Sequence, residues 1–162
     1  MGAVCDPIEQ IEPYLRVAQE TGMKIHYVID THVHADHVSG GRRLAEATGA
    51  DYVLRASAGA QFPFHGVAEN EQLELGNVQI RVLHTPGHKP EHIALIVTDK
   101  ARGPEPWFLL SGHTLMVGGQ NLPRAPRRAP APCFAACRSS KLFPIIWKCC
   151  REHFPVRCVG VP

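Results

Sequence analysis

Apolar positions along the first two thirds of the chain follow two different periods, and each change of period marks the boundary of an element. Ile11, Leu15 and Ala18 recur at helical spacing, which predicts a helix over residues 7–22, with Pro13 accommodated in its first turn and Gly22 as its stop. Residues 24–30 alternate and predict a strand. Leu44, Ala45 and Ala47 predict a second helix, capped by Ser39 and ended at Gly49, and residues 51–55 return to a strand. The alternating runs 73–75 and 78–83 flank Gly76-Asn77 and read as a hairpin. Apolar runs 92–98 and 107–110 come next, separated by a turn-rich stretch at 99–104. The order α, β, α, β and then mainly β fits sheets covered by outer helices.

Polar residues break this pattern most sharply at Thr31-His32-Val33-His34-Ala35-Asp36-His37, directly after the first predicted strand. Each buried imidazole or carboxylate needs a hydrogen-bond partner or a cation, so such a cluster at a strand exit points to a metal site. A helix would set His34 and Asp36 about 200° apart, at roughly 100° per residue, and they could not share a centre. In an irregular loop, His32 and His34 can point the same way at strand period while Asp36 and His37 turn toward a second position. One or two transition-metal ions are therefore expected. Mixed imidazole and carboxylate ligation suits zinc or non-haem iron rather than calcium or magnesium. The plainer alternative is a chance run of surface histidines.

Two later strand exits also carry histidine. His84-Thr85-Pro86-Gly87-His88 follows the strand ending at Leu83, and Pro86-Gly87 imposes a turn that can aim His88 over a sheet edge. Gly112-His113-Thr114 follows the last apolar run, which leaves His113 open between ligand and bystander. His84 and His92 read as supporting or core residues, and His26 and His65 as surface or packing residues.

Length and composition agree with one core. The 162 residues are 44% hydrophobic, and no stretch approaches the roughly 20 apolar residues that span a bilayer. The first residues lack a basic and an apolar signal region, so a cytoplasmic location is the default expectation. Character changes near Gly118-Gly119. Residues 1–119 hold nine basic against fourteen acidic side chains, and residues 120–162 hold eight against one, so the two parts carry net charges of −5 and +7. Five of six cysteines and seven of fourteen prolines also fall after the break. We expect residues 1–118 to form the folded core and residues 119–162 to be a Pro/Arg/Cys-rich tail that does not pack. Zinc binding by Cys133, Cys137, Cys149 and Cys150 is disfavoured because no C-x2-C knuckle is present. Nucleic-acid contact by Arg124, Arg127 and Arg128 is disfavoured because no aromatic residues are interleaved, and a disulfide framework does not suit the expected compartment.

The run His32-Val33-His34-Ala35-Asp36-His37, with Thr85-Pro86-Gly87-His88 and Ser111-Gly112-His113-Thr114-Leu115, resembles the metallo-β-lactamase superfamily, in particular its hydroxyacylglutathione hydrolase (glyoxalase II) and persulfide dioxygenase branch. The resemblance covers residues 3 to about 118. It implies an α+β fold, an αββα sandwich of two sheets with outer helices and metal at one edge, here incomplete. By likeness, His32, His34 and His88 would form one metal site, and Asp36, His37 and His113 a second. In the persulfide dioxygenases a single iron uses the positions of His32, His88 and His113. Aspartate is the family's residue where this chain has His113, and loss of that bridging carboxylate implies weaker occupancy of the second site. Residues 1–7 resemble the end of the family's second strand, so an opening hairpin is expected to be missing. Read one base out of frame, residues 142–161 give Leu-Pro-Asp-Tyr-Leu-Glu-Val-Leu-Pro-Gly-Ala-Phe-Ser-Gly-Ser-Val-Cys-Gly-Arg-Pro, which resembles the family's C-terminal strand and turn. A frameshift near Gly118 is the expectation this supports.

Three functions follow from the resemblance. With zinc, one ion or two, a metal-bound hydroxide oriented by Asp36 would hydrolyse a thioester or another glutathione-linked small molecule. With one Fe2+, open coordination positions would serve persulfide oxidation. The third reading is a non-catalytic, frameshifted fragment. A small-molecule substrate, no nucleic acid and no membrane are the expected partners; oligomeric state is not legible in these motifs.

Overall fold

The computed structural model describes residues 1–114, which build two four-stranded sheets face to face with two helices. The readings made for residues 119–162 lie outside the described residues. The first sheet is parallel throughout, in the order β1 (Gly2–Cys5), β2 (Ile25–Ile29), β3 (Asp51–Arg55) and β4 (His65–Val67). Helices α1 (Glu12–Thr21) and α2 (Gly41–Thr48) make the first two crossovers. A parallel pair needs such a connection because its strands run the same way. The second sheet is antiparallel, β5 (Gln72–Leu75), β6 (Val78–His84), β7 (Ile93–Asp99) and β8 (Phe108–Leu110), with the β5–β6 turn at Gly76-Asn77 pairing Leu75 with Val78.

The main core lies between the sheets. Ile29, Val53 and Val67 of the parallel sheet meet Leu73, Leu75, Ile80, Val82, Ile93, Leu95 and Val97 of the antiparallel one. Alternation explains the choice: Leu73 and Leu75 point inward while Gln72 and Glu74 face solvent. A second cluster, Ile11, Tyr14, Ile25, Val28, Leu44 and Ala45, joins both helices to the outer face of the parallel sheet. Leu83, Ala94, Ile96 and Leu109 occupy the opposite face of the antiparallel sheet, and among the described residues no helix covers them.

The first helix starts later than its apolar spacing predicts. It begins at Glu12, with Pro13 in the first turn, because residues 7–10 are drawn into other contacts. Ile8 bridges to Ser39, and its N–H donates to the Tyr14 hydroxyl at 3.0 Å. Gly22 closes the helix with a positive φ of 64°, as Gly49 closes α2 at 67°. Ser39 is not the cap residue of α2, which starts at Gly41 after Gly40; its hydroxyl instead accepts the Gly41 N–H at 2.9 Å and donates to Asp30 at 2.6 Å. The short strand β4 was not expected, since three residues around Gly66 carry too little alternation to signal it.

Topology gathers four strand exits on one edge. β1 and β2 are parallel, so Asp6 and Thr31 leave the sheet side by side. In the antiparallel sheet β6 and β8 end where β7 begins, and the Ile93 N–H donates to the Thr31 carbonyl at 2.8 Å, tying the two edges together.

Leu95 has no exposed surface and sits among these inter-sheet residues. Leu95→Ala is expected to cost about 2–5 kcal/mol in urea denaturation, while Val38→Ala, 65% exposed, is expected to stay within about 0.5 kcal/mol of the parent.

Candidate metal centre

Every histidine of the 31–37 loop, together with His88, His92 and His113, converges on that edge. The fully buried His32 ring lies 4.2 Å from His34, 4.9 Å from His88, 5.1 Å from His92 and 5.0 Å from His113, centroid to centroid. His37 stands 4.2 Å beyond His34. One nitrogen each of His32, His88 and His113 fall within 4.8 Å of one another, and so do donors of His32, His34 and Asp36. The His113 Nδ1 faces the His88 Nε2 at 3.2 Å. Asp36 stands at the mouth, half exposed, with one oxygen 3.4 Å from His37 Nδ1 and the other 3.8 Å from His113 Nε2.

Three ring nitrogens in this cluster are buried without a hydrogen-bond partner among the described residues: His32 Nε2, His34 Nδ1 and His37 Nε2. Such atoms are costly unless something pairs with them, and a divalent cation is the chemically matched occupant for neighbouring imidazole nitrogens. The second nitrogen of the two most buried rings is held by protein, His32 Nδ1 by the Thr31 hydroxyl at 2.9 Å and His34 Nε2 by Asp6 at 3.0 Å. This is the pattern of a metal-ligating histidine fixed from behind.

His92 belongs to the wall rather than to the donor set. Its Nε2 accepts the His113 N–H at 3.1 Å, and its Nδ1 meets the Thr85 and Thr114 hydroxyls at 2.9 and 3.2 Å, so both nitrogens are occupied. Gly112 makes this possible. Its φ of 49° suits glycine, and a Cβ there would lie 2.6 Å from His92 Nε2 and 2.7 Å from Thr31 Oγ1. His84 bonds the Pro90 carbonyl, while His65 lies exposed on β4 beside Asp51 and Glu71, and His26 packs edge-on to Tyr27.

Electrostatics divide the cluster. Burial, with the charges of His34 and His92, drives His32 down to about 3; burial also lowers His92, to about 4, and lowers His88 together with the His113 charge. These rings are neutral at physiological pH and present lone pairs. Burial lowers His34 too, but the hydrogen bond and charge of Asp6, with Asp30 and Asp36 nearby, outweigh it and raise it overall. For Asp36 the burial penalty is overcome by its own backbone N–H and by His113 and His37, which keep it ionised.

Asp6, Asp30 and Thr31 escaped the reading of the sequence. Asp6 accepts the Thr31 N–H at 2.7 Å and its hydroxyl at 3.0 Å, and Asp30 accepts the Ser39 and Tyr52 hydroxyls at 2.6 and 2.7 Å. The one signal available was the position of Asp6 directly before Pro7 at the end of a short apolar run.

In metal-free protein, His32, His88 and His92 have depressed affinities for protons, so below about pH 6.5 the unfolded chain binds more protons than the folded one. Stability is therefore expected to fall as pH drops from about 6.5 toward 4. Asp30, raised by burial, acts in the opposite direction as a single group. His34, raised, gives its full stabilisation throughout that window and adds no slope there; that contribution is lost only as pH rises above about 6.5. Urea midpoints measured across the pH series should decline on acidification.

The family model described as the metallo-beta-lactamase superfamily matches residues 3–122. The hydroxyacylglutathione hydrolase of Rhodospirillum rubrum is 32% identical over 119 residues, 72% of this chain and 44% of that protein. The mitochondrial persulfide dioxygenase of Bos taurus is 26% identical over 117 residues, 67% of this chain and 43% of that protein. A metallo-beta-lactamase structure from Staphylococcus aureus subsp. aureus COL matches with a TM-score of 0.68 at 36% identity, covering 72% of this chain and 37% of that one. The chain thus spans less than half the length of these relatives. With two facing sheets, a histidine cluster at their shared edge and a family match over well over half of its 162 residues, the chain belongs to the metallo-beta-lactamase superfamily.

Proposed function

We propose that this chain carries the metal centre of a zinc-dependent hydrolase acting on a thioester of a glutathione-linked small molecule. The observation that carries the reading is the pair of ring nitrogens buried without hydrogen-bond partners among the described residues, His32 Nε2 and His34 Nδ1, with donors of His32, His88 and His113, and of His32, His34 and Asp36, each gathered within 4.8 Å. His32, His34 and His88 would hold one ion, and Asp36, His37 and His113 a second. Bound zinc supplies a Lewis acid that acidifies water and polarises a carbonyl. Asp36, ionised and half exposed, would accept a hydrogen bond from an incoming water and orient it. The antiparallel edge, closed by Thr85, Thr114 and His92, keeps bulk water from the far side of the rings. The glutathione part of the reading rests on likeness to the hydroxyacylglutathione hydrolases.

A second reading, a mononuclear iron persulfide dioxygenase, is supported by the His32, His88 and His113 grouping and by likeness to the bovine enzyme. Non-haem iron oxygenases use two histidines and a carboxylate, and His113 supplies imidazole instead. That difference favours zinc.

Metal analysis of purified protein is expected to find at least one equivalent of zinc, with a second bound more weakly. His113→Asp, which adds an oxygen donor able to span two ions, should raise the second occupancy, and His32→Ala combined with His88→Ala should abolish the first. Hydrolysis of a glutathione thioester should follow zinc content. One equivalent of iron, with oxygen uptake on addition of a persulfide, would replace this reading by the second.

A further inference from the structure

The third crossover of the parallel sheet differs from the first two. Helices α1 and α2 connect β1 to β2 and β2 to β3, whereas residues 56–64 connect β3 to β4 through one 3-10 turn, Ala56–Ala58, and an irregular loop. A parallel pair is usually bridged by a helix that covers the sheet face beneath it. Without one, the end of the sheet beside α2 is left open, and a cavity of about 680 Å³ occupies the space. Small molecules are accommodated by volumes of roughly 300–1,000 Å³. The cavity is separate from the metal centre, since none of the histidines gathered there lines it.

Its walls are aromatic and acidic. Tyr52 of β3 and Phe64 of the loop line it, both half-buried. Phe62 stands next to them, its ring centre 5.8 Å from that of Tyr52 and 6.4 Å from that of Phe64, within the range of paired aromatic rings. Tyr52 is fixed in advance. Its hydroxyl donates to Asp30 at 2.7 Å, and its ring packs where α2 begins at Gly41, a position where a Cβ would lie 2.6 Å from the tyrosine Cε2. A ring already held in place costs little to order on binding.

Charge selects the occupant. Glu46, Asp51 and Arg42 line the cavity, and Arg42 is committed: its Nε donates to Glu46 at 2.9 Å and its guanidinium carbon lies 5.3 Å from the centre of the Phe62 ring. His65 lies between carboxylates, 3.7 Å from Asp51 and 3.3 Å from Glu71. Among the described residues that line the cavity, no cation is left over for an anionic ligand, while the Asp51 carboxylate is 60% exposed. Aromatic faces beside a carboxylate favour an organic cation, whose charge is drawn to the π faces and whose apolar body covers them.

We propose that this cavity is a second binding site, which takes an organic ammonium ion carrying an aromatic or alkyl body, with Tyr52 and Phe64 packing against the body and Asp51 pairing with the charge. The site stands independently of what the histidine cluster binds.

Three probes test it, titrated into the nitrogen-15-labelled full chain: benzyltrimethylammonium, neutral benzyl alcohol and anionic benzenesulfonate. The ammonium should give saturable shifts of the backbone amides of Tyr52, Phe64 and His65. Benzyl alcohol should bind about 2–30-fold more weakly, the range for a cation over an aromatic face, and the sulfonate should leave these signals unmoved. Phe64→Leu should weaken the ammonium by a similar factor, and Asp51→Asn by about 2–5-fold. Amide spectra unchanged away from the cavity separate lost recognition from lost folding, and Asp51→Asn, at an exposed position, carries the test even where Phe64→Leu disturbs the loop. The proposal is overturned by any of four results: no saturable shift with the ammonium, equal binding of the three probes, shifts at His32, His88 and His113 in place of the cavity residues, or unchanged affinity in both variants.

Discussion

His32 is an imidazole with 1% of its surface exposed, at the line where two sheets meet, and the arrangement of the site follows from the cost of placing it there. A neutral imidazole carries one donor and one acceptor, and burial without partners for both is expensive. Thr31 answers at Nδ1, and no protein group among the described residues answers at Nε2. Around that ring stand four others, one from its own loop and three from two other chain segments. His92 has both nitrogens satisfied and serves as wall, but His34 repeats the unmet demand at its own Nδ1, which packing alone does not answer. The crowding makes sense as a set of donors whose shared partner is an ion.

The sheets supply the placement that the rings need. Because β1 and β2 run parallel, their ends deliver Asp6 and the 31–37 loop to one edge, and the antiparallel hairpins deliver His88 and His113 to the same edge from the other layer. The backbone bond from Ile93 to Thr31 and the bond from the Val33 N–H to the Glu91 carboxylate lock the layers across that line. Inter-sheet packing of Ile29 against Ile93 and Leu95 begins within a few residues of the first ligand candidates, so the ring positions inherit the rigidity of the core.

Much of this was legible because the relevant signals are local. The spacing of Leu73, Leu75, Val78, Ile80 and Val82 around Gly76-Asn77 fixes a hairpin by alternation alone, and strand β3 is found within its own five residues. His32, His34 and His37 declare themselves by crowding in sequence, and His88 by its turn. The start of α1 was misplaced because a tertiary contact, Ile8 with Ser39 and Tyr14, overrides the helical spacing of the segment. Asp6 and Asp30 were invisible for a related reason. A single aspartate at a strand end has no periodic signature, and its role depends on distant partners, 25 and 28 residues away for Asp6 and 9 and 22 for Asp30, that only the fold brings alongside.

Where the negative charge sits bears on what the centre can do. Asp6 and Asp30 are carboxylates within reach of the cluster, yet both stand behind His34, and Asp6 also lies behind the Thr31 hydroxyl, so neither is placed on the open side of the donor set. Asp36 alone faces the open side, and it is half exposed. An ion held among neutral nitrogens keeps most of its positive charge, which sharpens its pull on a carbonyl oxygen or on the proton of a water. Two ions in the same space would repel each other with only Asp36 between them to compensate. Under the proposed reading, imidazole in place of carboxylate at position 113 would leave a second cation less screened while leaving the pull of a first one intact.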